Sequence, residues 1–177
     1  MLAKKTWASF FSKPVPTNKV LTVGFSIGME INDFLTSDRV LLDVRVRDKR
    51  QLISEIARQF ARLVPNLDAE TVERALLLRE ELGSTGLGAG FALPHARIEG
   101  LTDYLGLFLR LAKPIDFNAI DSKPVQLVFV LLIPSETAVS HVAALAAISR
   151  KFRDVSLVTK ILHVKTPVET FGFLTDS

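Results

Sequence analysis

Residues Val125–Ile133 read VQLVFVLLI, nine positions with one polar side chain. Apolar character this continuous belongs to a strand at the centre of a sheet covered on both faces. Tyr104–Leu111, just upstream, reads as a second strand, and the KPIDFNAIDSKP segment between the two has the prolines and polar residues of a connection with one short edge strand. Further upstream, Val40, Leu42, Val44 and Val46 alternate with other residues across Arg39–Val46, the pattern of a half-buried strand. A short helical turn from Ile31 precedes it.

Helices fill the intervals. Asp48 is placed to cap one in which Leu52, Ile53, Ile56, Phe60, Leu63 and Val64 recur at helical spacing, while Arg50, Glu55, Arg58 and Arg62 fall on the other side; it ends at Pro65. Asp68 caps a second, with Val72, Leu76 and Leu78 inward, running to Glu81 or Leu82 and stopped by Gly83. After Pro134, Thr137 or Ser140 caps a helix through Arg153 that carries His141, Leu145, Ile148 and Phe152 on one face, and Val155–Leu174 makes one or two short helices. Alternating helices and strands around a central apolar strand predict an α/β fold: a single domain with a mixed β-sheet sandwiched between helix layers.

Composition narrows the function. With 177 residues, 48% of them hydrophobic, the chain can bury one sizeable core. Charges or prolines interrupt every apolar run before the roughly 18–20 residues that cross a bilayer, which argues against membrane insertion. Zero cysteines exclude disulfides, thiolate metal sites and cysteine nucleophiles, and fit a reducing, cytoplasmic setting. Residues 1–28 hold Lys4, Lys5, Lys13 and Lys19 and no acid, so the net charge of +3 lies entirely in that segment and residues 29–177 are close to neutral. A nucleic-acid partner, which calls for a clustered basic face, is not expected. Lys13, Pro14 and Pro16 break the apolar stretch that an export signal needs. The segment reads as an N-terminal extension, either poorly ordered or docking through Val20–Ile27, ahead of a domain spanning 29–177.

Between the second helix and the strands lies Arg79–Gly100, REELGSTGLGAGFALPHARIEG. Gly83, Gly86, Gly88 and Gly90 mark a loop needing unusual backbone angles or close approach, and Phe91–Ile98 reads as a short strand in which His95 and Arg97 share a face. The spelling rules out two phosphate loops. A P-loop requires Lys and then Ser or Thr where Ala89 and Gly90 stand, and the dinucleotide fingerprint requires Gly or Ala where Phe91 stands. Metal binding by His95, His141 and His163 lacks short ligand spacing, and no Gly-x-Ser-x-Gly turn exists for a serine hydrolase. Two readings of His95 remain: a hydrogen-bonded structural residue, or a nucleophile toward a phosphoryl group, which needs positioning by cations and N–H donors. Arg79, Arg97, the Ser84 and Thr85 hydroxyls and the glycine amides, Gly86 among them, are the local donors. No cofactor is implied.

Arg79-Glu80, then Leu82-Gly83-Ser84-Thr85-Gly86, Gly88 and Leu93-Pro94-His95-Ala96, closely resembles the active-site signature of enzyme IIA of the phosphoenolpyruvate phosphotransferase system, in its fructose/mannitol and nitrogen-regulatory branch. Pro124-Val125, Pro134, and His141 with Leu145 extend the likeness. It runs from about Ile31 to the C-terminus, loosely over the last thirty residues, and has no counterpart to residues 1–28. The resemblance implies that His95 accepts a phosphoryl group from the histidine phosphocarrier protein. It implies that His141 hydrogen-bonds near that group and that Arg79 stabilises it. It leaves three roles open: a nitrogen-type regulator acting through phosphorylation-dependent binding to target proteins, which the FNAID-x-KPVQLVFVLLIP stretch favours; a sugar-specific subunit passing phosphate to a separate IIB domain; and a binding module without transfer activity. His163 matches nothing and reads as a surface residue.

Overall fold

The computed structural model describes residues 29–136 and 141–176. In chain order the elements are β1 (Val40–Val44), α1 (Lys49–Leu63), α2 (Ala69–Glu81), β2 (Gly86–Gly88), β3 (Phe91–Ala92), β4 (His95–Ile98), β5 (Leu105–Ile115), β6 (Val125–Pro134), α3 (Val142–Lys151), α4 (Val155–His163) and α5 (Pro167–Thr175). Short 3₁₀ turns at Ile31–Asp33 and Ser37–Arg39 lead into β1. Residues 1–28 and the two expected caps Thr137 and Ser140 lie outside the described residues.

The strands form one mixed six-stranded sheet, ordered β1-β5-β6-β3-β2, with β4 pairing β6 beyond β3. β5 and β6 are antiparallel, whereas β1 runs parallel to β5, and β3 and β4 run parallel to β6. The apolar run therefore does sit centrally, with all its residues buried except Gln126. Its alternate side chains serve two cores. Val128, Val130 and Leu132 meet α1 and α2 residues such as Ile53, Ile56, Phe60 and Leu76. Leu127, Phe129, Leu131 and Ile133 join Ile148, Phe152, Leu157, Ile161 and Leu174 from the three later helices. Phe91 and Phe152 stack at 4.0 Å in this second core, and Phe129 meets Phe34 edge-on at 6.0 Å.

The expected caps hold where they can be seen: Asp48 accepts from Gln51 N and Asp68 from Thr71 N, each at 2.8 Å. Buried Arg110 on β5 closes the other end of α4, donating to the carbonyls of Ile161 and Val164 and pairing with Asp43 at 3.0 Å. A cation there satisfies helix-end carbonyls and complements their dipole.

Three local expectations need correction. Leu78 points to solvent, at 56% exposure, because positions two apart on a helix cannot share the face of Leu76; Leu77 packs inward instead. The connection after Leu111 contains no separate edge strand: β5 runs on to Ile115, with a register shift after Arg110. The glycine-rich loop is a tight antiparallel hairpin, β2–β3, turning at Ala89 and Gly90. Its glycines answer to space and angle. A Cβ on Gly86 would lie 2.8 Å from the Cα of Ala119, and Gly88 has φ +90.

Candidate functional site

Because β3 and β4 follow one another along the same edge of β6, the peptide Leu93-Pro94 interrupts what the sequence suggests is one strand. Among the described residues, no strand pairs with β4 on its outer side. Ala96 and Ile98 face the α1/α2 core. His95 and Arg97, opposite Leu131 and Ile133 in the register, face the layer that contains α3. An edge strand is the one place in a covered sheet where side chains from both helix layers can meet.

They meet at His95. Its Nδ1 lies 2.9 Å from the Leu93 carbonyl, and Arg79 from α2 places Nε 3.1 Å from its Nε2. A carbonyl only accepts and a guanidinium only donates, so the ring is neutral with its proton on Nδ1 and its lone pair on Nε2. Burial pushes the His95 pKa below its ordinary value, and the charges of Arg79 and His141 push the same way; the Leu93 carbonyl and Glu80 oppose them without prevailing. Arg79 is itself steadied by donating from Nη1 to the Gly83 carbonyl at 3.0 Å.

From the other layer comes His141, half-buried at the N-cap position of α3, with no side-chain capping bond. Its Nδ1 lies 3.3 Å from Nη2 of Arg97, whose Nη1 donates to the Ser135 carbonyl at 3.2 Å. The expected members thus form two hydrogen-bonded pairs, Arg79–His95 and Arg97–His141, near enough that the His141 charge acts on the His95 ring.

Ser84, Thr85 and Gly86 stand apart from those pairs. Ser84 Oγ donates to the Phe117 carbonyl and accepts from Gly86 N, and Thr85, 3% exposed, directs both its hydroxyl and its N–H to Glu80. Ala89 N is taken by Asp121. These donors hold the hairpin to the body. His163 is exposed, its Nδ1 2.8 Å from the Thr159 carbonyl on its own helix. Among the described residues, no group of three or more His, Cys, Asp or Glu could hold a metal ion, and no helix is long and apolar enough to cross a membrane.

Three participants escape a reading from sequence: the Leu93 carbonyl, Glu80 and Lys49. Glu80 stands inside the signature next to Arg79, which is a signal of place though not of role. Lys49 is 31 residues from Glu80, the partner it meets, and nothing local marks it.

The family model for the phosphoenolpyruvate-dependent sugar phosphotransferase system, EIIA 2, matches residues 33–177. The chain belongs to this EIIA family. Among proteins similar to it is a nitrogen regulatory protein of Bradyrhizobium diazoefficiens, 39% identical over 133 residues that cover 75% of this chain and 86% of the relative. The crystal structure of nitrogen regulatory protein IIA-Ntr from Neisseria meningitidis superposes with a TM-score of 0.77 at 35% identity, covering 82% of this chain and 99% of that one. The mannitol enzyme IIA of Escherichia coli, solved in complex with phosphorylated mannitol enzyme IIB, shares the fold at a TM-score of 0.66 and 18% identity, covering 79% and 96%. Within the EIIA family, this chain is most like the nitrogen regulatory members.

Proposed function

We propose that His95 accepts a phosphoryl group on Nε2 from the histidine phosphocarrier protein, and that the phosphorylation state governs binding to regulatory target proteins. The observation that carries this is the pairing at the ring: Nδ1–H is tied to the Leu93 carbonyl, while the Nε2 lone pair meets a guanidinium at 3.1 Å. In the transfer, the Nε2 lone pair forms the new N–P bond. The bond from phosphorus to the donor histidine breaks, and its electron pair returns to that ring. The proton stays on Nδ1 throughout, donated in a hydrogen bond to the Leu93 carbonyl. Arg79 caps the lone pair at rest, so it turns from Nε2 to the phosphoryl oxygens as the group arrives, replacing one acceptor by another of higher charge.

His141, held at Nδ1 by Arg97, supplies a donor from the α3 layer, and the first turn of α3 adds backbone N–H groups suited to an anion. Ser84, Thr85 and Gly86 serve this site by fixing the hairpin. The nitrogen-regulatory role is supported by the identity to the Bradyrhizobium and Neisseria proteins. A cytoplasmic setting accords with it, since the donor relay is built of soluble carriers.

The test is incubation with phosphoenolpyruvate, enzyme I and the phosphocarrier, followed by intact mass. One acid-labile phosphate is expected in the wild type and none in His95→Ala. A gain that persists in His95→Ala would sink the assignment, and no gain in the wild type would leave a binding module. The mannitol relative's complex with a IIB protein makes a sugar-type role the second reading. A purified IIB domain that drains the phosphate would favour it.

A further inference from the structure

Behind His95, away from the open side of the ring, polar groups from two helices and the hairpin join in one continuous chain. Lys49 Nζ, at the start of α1, donates to Glu80 Oε1 at 2.7 Å. Glu80 Oε2 accepts from Thr85 Oγ1 at 2.6 Å and from Thr85 N at 3.1 Å. The Thr85 carbonyl accepts from Leu93 N at 2.9 Å, and the Leu93 carbonyl accepts from His95 Nδ1 at the same distance.

We propose that Glu80 is a positioning residue of the phosphoryl-transfer site, acting through Thr85 and Leu93 to hold His95 in the tautomer whose lone pair is on Nε2. The function assigned to this relay rests on the reading of His95 as phosphoryl acceptor; the relay itself does not.

Several features make Glu80 the anchor. Its side chain is only 9% exposed, yet it meets an ammonium and both donors of a buried threonine. Burial pushes the carboxyl pKa up, but the bonds from Lys49 and Thr85 outweigh it and hold the group below its ordinary range, so it is a carboxylate at neutral pH. Lys49 is placed in turn by the Phe117 ring, 4.6 Å from its ammonium. The same Phe117 carbonyl receives Ser84 Oγ, which ties the hairpin a second time.

Helix geometry explains why Arg79 and Glu80 are neighbours. Successive residues point about 100° apart, so one reaches Nε2 directly while the other grips the strand whose carbonyl partner sets Nδ1. One turn of α2 thereby governs both ring nitrogens. Without the carboxylate, the Thr85 donors lose their acceptor in a buried place, and the Thr85-Leu93 pairing that aims the Leu93 carbonyl slackens. The ring is then free to carry its proton on Nε2, a form that cannot attack and that opposes the Arg79 donor.

The experiment is nitrogen-15 ring spectroscopy of unphosphorylated His95 above neutral pH, combined with the rate of phosphate uptake from the charged phosphocarrier. Wild type is expected to show the Nδ1–H tautomer alone. Glu80→Gln and Thr85→Val, which removes only the hydroxyl's bond, are expected to show a mixture with Nε2–H and uptake slowed about five- to tenfold, the worth of one hydrogen bond. Thr85→Ser, which keeps the hydroxyl, is expected to restore the single tautomer. An unchanged tautomer in both Glu80→Gln and Thr85→Val overturns the proposal, whatever the rate does. Should Glu80→Gln not fold, Thr85→Val and Lys49→Met carry the same test. A shifted tautomer in the variants, with no phosphate gain even in wild type, would uphold the relay and reject the acceptor role.

Discussion

The two histidines, one on an edge strand and one at the start of α3, are held very differently. His95 is fixed at both ring nitrogens, by Leu93 at 2.9 Å and Arg79 at 3.1 Å, and is backed by the Lys49–Glu80–Thr85 chain. Among the described residues His141 has one side-chain contact, at 3.3 Å, to an exposed arginine. The first half of the site is built into the fold, because α2, the hairpin and β4 constrain one another. The second half hangs on a helix start. For the proposed transfer, a rigidly held acceptor suits a reaction whose main demand is alignment, while a looser donor would follow oxygens arriving with a partner protein.

The sharpest way to break this contrast is Arg79→Gln. If the rigid half carries the transfer, losing the guanidinium should slow phosphate uptake about 100-fold, the scale of one lost transition-state donor, as measured by stopped-flow mixing with phosphorylated carrier. A loss no greater than that of Arg97→Gln would erase the distinction.

Next in size is Gly86→Ala. Its Cβ would sit 2.8 Å from Ala119, so the hairpin or the 117–120 segment must shift. A loss of about 1–3 kcal/mol in denaturant unfolding is expected, together with slower uptake. Full stability would mean that the hairpin is not a stiff support for the site.

On the looser side, Arg97→Gln and His141→Phe should each slow uptake about fivefold, roughly 1 kcal/mol. Combined, they should cost little more than either alone, since each loses the same contact. Additive losses in that double-mutant cycle would show two independent donors.

The smallest effect concerns pH. The folded pKa of His95 lies below its unfolded value of about 6.5, so the neutral nucleophile persists into mild acid and the acid limb of the uptake rate falls below that pH. As pH drops through the window between the two values, the unfolded chain binds a proton that the folded ring declines, and stability falls. Arg79→Gln removes one of the charges that depress the pKa and should move the limb upward, toward 6.5. A limb that does not move would leave burial and the His141 charge as the causes.

Much of the fold was legible because periodicity reports burial on one element at a time. The continuous apolar run marked β6 as central, and Asp48 and Asp68 marked helix starts that their bonds to Gln51 and Thr71 bear out. Leu78 was misread because a count of apolar residues ignores the turn between adjacent helix positions. The glycines of the hairpin were legible as places of close approach or unusual angle, which Gly86 and Gly88 bear out, but its strands, Gly86–Gly88 and Phe91–Ala92, are too short for periodicity to mark. Hydroxyls at Ser84 and Thr85 resemble phosphate ligands in a sequence, and only their three-dimensional partners show where they are engaged.

By itself, the sequence determined the layered α/β plan, the place of the sheet's centre, and the stretch that holds His95, since all three are written in local pattern and spelling. Tertiary structure alone decided which ring nitrogen carries the proton and which the lone pair. That depends on a carbonyl two residues away, a guanidinium from the preceding helix and a carboxylate pinned by Lys49 from another. Hydrogen bonds act over about 3 Å in space, and no distance along the chain reports that.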